Sequence, residues 1–196
     1  MKTEYLIERV KTSRNTLSET LKNDLIFQGK KIVRPLTKVM PKLSSYVITA
    51  QLLEIIGEIG GDDAFKTLSL LLDDAVQDDL PQRMLSQSCI VGLASIADDK
   101  SYYRLKETLE FTNPDIRITA AEALFNLSNK RPELKDDIVK ELETALQQET
   151  YEKTGLILIE TLNNLGKTVS GNFKWTNKLK KTLPEKTHTP VKTSKK

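Results

Sequence analysis

Histidine and cysteine are almost missing from this chain of 196 residues, which has one of each, His188 and Cys89. Because the only histidine lies in a basic tail, Ser-His-Asp catalysis, Cys-His catalysis and the usual histidine metal sites are excluded. A single cysteine supplies neither an internal disulfide nor a multi-thiolate metal site. The sequence also has neither a P-loop nor the glycine-rich dinucleotide motif. We therefore expect a protein that is not an enzyme and that holds no cofactor or metal.

Long apolar runs are absent as well. No run approaches the ~18 residues that a helix needs to span a bilayer. The charged residues 1–9 do not resemble the apolar core of a signal peptide. The hydrophobic fraction of 38% is nevertheless large enough for a folded core. The sequence therefore predicts a cytoplasmic protein with one ordinary domain or one short repeat array.

Charge is distributed unevenly, although the net charge is only +3. Residues 1–42 carry ten basic and four acidic groups, residues 43–166 carry 11 and 22, and residues 167–196 carry nine and one. The middle of the chain is thus acidic and both ends are basic. Such a distribution bears on partners and solubility rather than on the fold.

An apolar pattern that ends in a small residue recurs at residues 48–60, 85–97, 116–128 and 154–166. Apolar residues lie one, four and eight positions before each end, which places them on one stripe of an α-helix. In chain order they are Leu52, Ile56, Ile59, Cys89, Leu93, Ile96, Ala120, Leu124, Leu127, Leu158, Leu162 and Leu165. Cys89 is therefore expected in the core. The position five before each end is mostly small, as at Gly92 and Ala123, so a neighbouring helix is expected to approach closely.

A second apolar pattern follows each of these, and the separations between its anchoring leucines are 32, 37, 37 and 37 residues. The anchors are Leu36, Leu68, Leu105, Leu142 and Leu179. Glycines at helix ends, prolines at helix starts and acidic doublets at the turns between helices agree with this division. We expect the doublets to cap helices, although an acidic edge that attracts a basic partner is an alternative. The sequence predicts an all-α array of about five helix pairs.

The chain divides into three predicted parts. Residues 1–28 form a polar N-terminal helical cap, in which Leu17, Leu21 and Leu25 mark a degenerate first helix. Residues 29–183 form the repeat domain, which a helix through Trp175 and Leu179 closes. Residues 184–196 have almost nothing to bury and form a disordered basic tail.

The run from Asn113 to Leu124 resembles the first helix of a HEAT repeat of the short bacterial type, which also occurs in bilin lyases. Residues 55–62 resemble the end of that same helix, and the resemblance extends over roughly residues 30–183. It implies a right-handed α-α superhelix. The arginine that forms a ladder between repeats in this family is present only as Arg117, since its equivalents are Thr49, Ser86 and Gly155. The apolar stack is therefore expected to hold the repeats together.

A candidate binding row comes from the alignment of the repeats. Two residues before each anchoring leucine lie Arg34, Lys66, Tyr103, Lys140 and Asn177. In HEAT-like arrays the second helices line the concave face, so the resemblance implies a row of cations and an aromatic ring across that face. The alternative is that exposed helix positions are simply charged in a chain with 29% charged residues.

The favoured hypothesis is a non-catalytic scaffold that binds another protein on its concave face. The alternative is a nucleic-acid-associated protein that uses its basic ends, where lysines flank Trp175, and these lysines would also suit an anionic membrane surface or serve only solubility.

The resemblance also admits a bilin-lyase-like or DNA-glycosylase-like enzyme. The glycosylase pattern requires Asp, Trp and Arg in a basic cleft, and the only tryptophan here lies near the C-terminus. HEAT-like di-iron hydroxylases require several His-Glu pairs, which this sequence lacks.

Overall fold

A computed structural model describes residues 2–74, 79–171 and 173–177. These residues contain three short 3-10 turns, at Gly29–Ile32, Met40–Lys42 and Pro132–Leu134, and no β-strand. The prediction of an all-α protein is confirmed for this part of the chain. Its α-helices are α1 (Thr3–Thr12), α2 (Glu19–Phe27), α3 (Val33–Val39), α4 (Tyr46–Ile59), α5 (Asp62–Asp74), α6 (Leu80–Ile96), α7 (Asp99–Thr108), α8 (Pro114–Lys130), α9 (Lys135–Gln148) and α10 (Glu152–Asn164).

The helices contact one another in the order of the chain. The even-numbered helices meet in succession, α2 with α4, α4 with α6, α6 with α8 and α8 with α10. Among the odd-numbered helices, α1 contacts α3, α3 contacts α5 and α5 contacts α7. Consecutive helices within α4/α5, α6/α7 and α8/α9 also pack together. Neighbours in sequence are therefore neighbours in space.

The predicted apolar stripes form one continuous core. The anchors Leu36, Leu68, Leu105 and Leu142 are fully buried, and so are most residues of the first pattern, including Cys89. Only Ile59 and Ile96, at the last residues of their helices, are half-buried, and they still pack against the core. Because each helix pair presents its apolar side to the next pair, no pair completes a core by itself.

Several helix boundaries follow the predicted punctuation. Gly60 ends α4 with a φ of +70°, a value that glycine adopts without strain. The Asp98 carboxylate accepts a hydrogen bond of 2.8 Å from the Ser101 N–H at the start of α7. The Asn113 side chain accepts one of 2.9 Å from the Asp115 N–H at the start of α8. These side chains satisfy N–H groups that have no partner within the helix.

Helices α4 and α6 cross at two glycines. A Cβ atom added to Gly57 would lie 2.3 Å from the Cα of Gly92, and one added to Gly92 would lie 2.9 Å from the carbonyl oxygen of Leu53. Any larger side chain at this crossing would collide with backbone. The small residue predicted at position 92 is thus confirmed as a point of close helix approach.

The chain after α10 does not form the predicted closing helix at its described residues. Residues 173–177 run back to the start of α10 without helical structure. The Thr176 and Asn177 N–H groups donate to the Thr150 carbonyl at 3.1 and 2.8 Å. The Asn177 side chain accepts a bond of 3.0 Å from the Glu152 N–H. The prediction was wrong here because backbone groups at the start of α10 need partners, and an extended segment supplies them.

Within this segment, the Trp175 indole lies against Gly155 of α10. A Cβ atom at Gly155 would come within 2.2 Å of the ring, and the ring also stacks on Phe173 at a centroid distance of 5.5 Å. Leu179, His188 and the predicted tail at residues 184–196 lie outside the described residues. Among the helices within the described ranges, none is both long enough and apolar enough to cross a bilayer.

Candidate functional site

An open groove lies where α3 and α5 end and α4 and α6 begin. Its volume is about 690 Å³, within the range of ordinary ligand-binding clefts. Most of the side chains that face it are aliphatic or aromatic. It is lined by Thr37, Met40, Pro41, Leu43, Ser44, Tyr46, Thr49, Leu53, Lys66, Thr67, Leu70, Leu71, Gln82 and Leu85.

The groove follows from the unequal lengths of α3 and α5. The two helices run side by side, since Thr37 of α3 contacts Thr67 of α5 with 3.1 Å between their hydroxyl oxygens. Beyond that contact α3 continues only to Val39, whereas α5 continues to Asp74. Roughly the last one and a half turns of α5 therefore extend past the end of α3, and the space beside them is the groove.

Leu70 is the most exposed leucine of the groove. Leu68 and Leu72 of α5 point into the core, and a residue two positions away on a helix points to the opposite side. Leu70 is accordingly 58% exposed. Tyr46, at the first position of α4, is also exposed. Large apolar side chains in the groove are thus exposed to solvent.

Polar groups are a minority in the groove, and three of its hydroxyls are engaged within the protein. The Thr37 and Thr67 hydroxyls bond to each other, and the Thr49 hydroxyl donates to the Ser45 carbonyl at 3.2 Å. Among the described residues that line the groove, Lys66 alone carries a charge. The site is therefore apolar with a single cation at its side.

The first four members of the predicted binding row lie on α3, α5, α7 and α9, but they have different surroundings. Lys66 lies in the groove. Arg34 of α3 is exposed and makes a two-point ion pair with Asp63, at 2.8 and 3.2 Å, whose hydrogen bonds and charge raise the pKa of Arg34. Lys140 of α9 pairs with Asp137 at 3.2 Å, and Tyr103 of α7 is exposed beside the Tyr102 ring. Two of the three cations of the row therefore already have carboxylate partners.

Asn177, the last member of the row, does not lie on a helix. It has a φ of +52° and binds the first turn of α10 through its side chain. Its place in the row depended on the predicted closing helix, which is absent at this residue.

Polar contacts between neighbouring pairs are more numerous than the single ladder arginine suggested. The Arg131 guanidinium donates to the Ala97 carbonyl at 2.9 Å and to the Asp99 carboxylate at 3.0 Å. Its hydrogen bonds to Glu133 and to Asp99 raise the pKa of Arg131. Lys106 of α7 binds Glu141 of α9 at 2.6 Å. These contacts could have been predicted from residues of opposite charge that lie about one repeat apart in the sequence. The repeat alignment used only the apolar positions and the candidate binding row, so it missed them.

Arg117 and Glu149 form a buried ion pair, and both side chains are only 1% exposed. The Arg117 Nε and Nη2 atoms donate to the two Glu149 carboxylate oxygens at 2.8 and 2.6 Å. Arg117 Nη1 also donates to the carbonyls of Phe111 and Thr112, both at 2.8 Å. Arg117 thus fastens the start of α8 to the loop that leads into α10.

The Glu149 carboxylate is held by further donors. One of its oxygens accepts the N–H groups of Thr150 and Tyr151 at 2.7 and 2.9 Å. Burial acts to raise the pKa of Glu149, but the Arg117 hydrogen bonds and the two N–H groups outweigh it and hold that pKa below its ordinary value. This pair has a structural role, because its partners are all backbone or each other.

Cys89 has the environment of a core residue. Its side chain is fully buried, and burial raises the pKa of the thiol to about 12. Since the thiolate is the reactive form, this cysteine is inert at neutral pH. Within the described ranges, no group of three or more His, Cys, Asp and Glu side chains is arranged to hold a metal ion.

No protein-family model matches the chain, and no curated protein matches it. The groove and its surroundings are thus the grounds for a functional proposal.

Proposed function

We propose that this protein is a non-catalytic binding scaffold of the HEAT-repeat type, whose protein partner docks in the groove beside α3 and α5. The observation that carries the proposal is the groove itself, an open apolar cleft with Leu70 exposed along it. Contiguous apolar side chains in contact with water raise the free energy of the isolated protein, and such patches mark interaction surfaces.

The HEAT-like architecture is supported by the order of helix contacts. Four even-numbered helices carry the same apolar stripe at intervals near one repeat, and each packs on the next. In a right-handed superhelix of this kind the odd-numbered helices face inward, which would place the groove on the concave face. A partner there would contact several repeats at once.

A protein partner fits the groove better than a polyanion does. Phosphate binding depends on several unpaired cations, whereas Arg34 and Lys140 are each paired with a carboxylate. The binding surface is therefore narrower than the predicted row and is centred on Lys66 and Leu70.

The test compares substitutions of two leucines that are similarly exposed. Leu70 is 58% exposed in the groove and Leu156 is 55% exposed on α10, so Leu70→Lys and Leu156→Lys are equally compatible with folding. Each variant and the natural chain are used for affinity capture from lysate, and the captured protein is then purified and titrated by calorimetry. We expect Leu70→Lys to weaken binding at least tenfold, since a buried anchor typically contributes more than about 1.4 kcal/mol.

Circular dichroism of both variants provides the folding control. Leu156→Lys is expected to bind like the natural chain. A captured protein that binds all three chains equally would place its contact elsewhere and contradict the proposal.

A further inference from the structure

The hydrogen-bonding groups that the groove offers indicate which secondary structure a bound segment of the partner has. A bound peptide must satisfy its own backbone N–H and C=O groups. An extended peptide does so on a strand edge, and the described ranges contain no strand. The hydroxyls of Thr37, Thr67 and Thr49 are already engaged, so the described lining offers an extended backbone few partners, the side chains of Ser44, Tyr46, Lys66 and Gln82. A helix satisfies its backbone internally and needs no such partners, which suits an aliphatic groove.

The charge on the described lining of the groove is positive, because Lys66 is exposed and none of the other described lining residues is charged. The first turns of α4 and α6 also face it through Tyr46 and Gln82, and helix N-terminal ends carry partial positive charge. A carboxylate beside Lys66 would be attracted, and a second cation there would be repelled.

We infer that the groove binds an amphipathic α-helix of the partner, which places aliphatic side chains against Leu70, Leu71 and Leu85 and a carboxylate beside Lys66. This inference rests on the proposed function, because it names the occupant of the same groove. A basic helix, or the chain's own lysine-rich C-terminal segment, would place like charge beside Lys66 and is disfavoured there.

A peptide-display selection tests the inference directly. The library consists of helical peptides with leucine at positions i, i+3, i+4 and i+7 and with random residues beside this stripe. It is selected on the natural chain, on Lys66→Glu, and on Lys135→Glu as the matched control, because Lys135 is an exposed lysine of α9 outside the predicted row. The natural chain and Lys135→Glu are expected to enrich Glu and Asp beside the stripe. Lys66→Glu is expected to enrich Lys and Arg.

A selected peptide is then titrated in solution. Lys66→Glu is expected to weaken an acidic peptide about tenfold, and a proline in the middle of the peptide helix is expected to weaken it at least as much. Equal residue preferences on the natural chain and on Lys66→Glu would overturn the carboxylate contact. A proline variant that binds unchanged would overturn the helix.

Leu70→Lys separates this inference from the proposed function. If peptides lose affinity for Leu70→Lys but show no charge or helix preference, the groove remains the docking site and only the inferred occupant is wrong. If Leu70→Lys binds every selected peptide as the natural chain does, the groove is not the docking site and both proposals fail. Sedimentation of the chain alone identifies another occupant: a dimer that Leu70→Lys dissociates would mean that a second copy fills the groove, which also overturns the inference.

Discussion

The buried pair of Arg117 and Glu149 is expected to be the most sensitive polar contact in the array. Arg117→Met removes the charge that Glu149 faces and also the donor to the carbonyls of Phe111 and Thr112. Removing one partner of a buried ion pair leaves the other charge uncompensated, at a cost of about 3–5 kcal/mol. For a chain of this size, 1 kcal/mol corresponds to about 2–4 °C in melting temperature. The melting temperature is therefore expected to fall by about 6–20 °C.

The double variant Arg117→Met/Glu149→Leu tests the physical reason. In some proteins an apolar pair of similar volume replaces a buried ion pair without loss of stability. Here the double variant would remove the side-chain partners of four partly buried backbone groups, the two carbonyls that Arg117 binds and the N–H groups of Thr150 and Tyr151 that Glu149 binds. A backbone group that loses its partner costs up to about 1–3 kcal/mol, depending on how far it is buried. The double variant is therefore expected to remain destabilised.

The free energy of unfolding is measured by urea titration and by thermal melts, both followed by circular dichroism, for the natural chain, the two single variants and the double variant. Lys140→Met is the control, since it breaks an exposed pair and is expected to cost less than about 1 kcal/mol. A double variant as stable as the natural chain would refute the reasoning, because it would mean that the backbone groups find other partners.

The same pair gives the chain a defined acid response. The pKa of Glu149 is held below its ordinary value of 4.5 in the folded state. Its contribution to stability is therefore complete above that ordinary value and is lost as the pH falls through the lower folded pKa. The difference in unfolding free energy between the natural chain and Glu149→Leu should narrow on acidification.

Three further predictions concern packing. Gly57→Ala should destabilise the chain by about 3 kcal/mol, measured by urea titration, and by more than Gly92→Ala, because its Cβ would meet backbone at 2.3 Å rather than 2.9 Å; equal stability to the natural chain would contradict the observed crossing. Gly155→Val should displace the Trp175 indole from α10, giving a red-shifted fluorescence emission with unchanged helix content, and an unshifted emission would argue against this contact. Cys89 should resist alkylation by iodoacetamide in the folded chain and react fully in urea, since burial raises its pKa to about 12; rapid alkylation without urea would contradict its burial.

The helices and the core were predictable because their signal is periodic. A residue such as Leu105 recurs at equivalent positions in each unit, and burial of its side chain dominates the local free energy. Gly92 was predictable for the same reason, since a small residue at a repeated position indicates a helix crossing. The periodic pattern therefore predicted correctly which residues form the buried core.

The candidate site was predictable only in part, because it depends on features that do not recur from one repeat to the next, such as ion pairs and the point at which a helix ends. The alignment found Lys66 but treated Arg34 and Lys140 as its equivalents, although ion pairs with carboxylates elsewhere in the sequence change their role. Leu70 was not selected, because exposure of a leucine depends on where the neighbouring helix ends. Trp175 was assigned to a helix because its spacing to Leu179 suits one, but backbone hydrogen bonds at α10 favour the extended segment.

The short helix α3 is the physical origin of the groove. It ends at Val39, just after its anchoring Leu36, and the chain turns through Met40–Lys42 toward α4. Helix α5 continues further past its own anchor Leu68, to Asp74. A longer α3 would extend along the last turns of α5 and cover Leu70. Lengthening α3 by one and a half turns of alanine-rich helix should therefore bury Leu70 and abolish partner binding while it stabilises the fold. Unchanged binding by this lengthened chain would show that the short helix is not what opens the site.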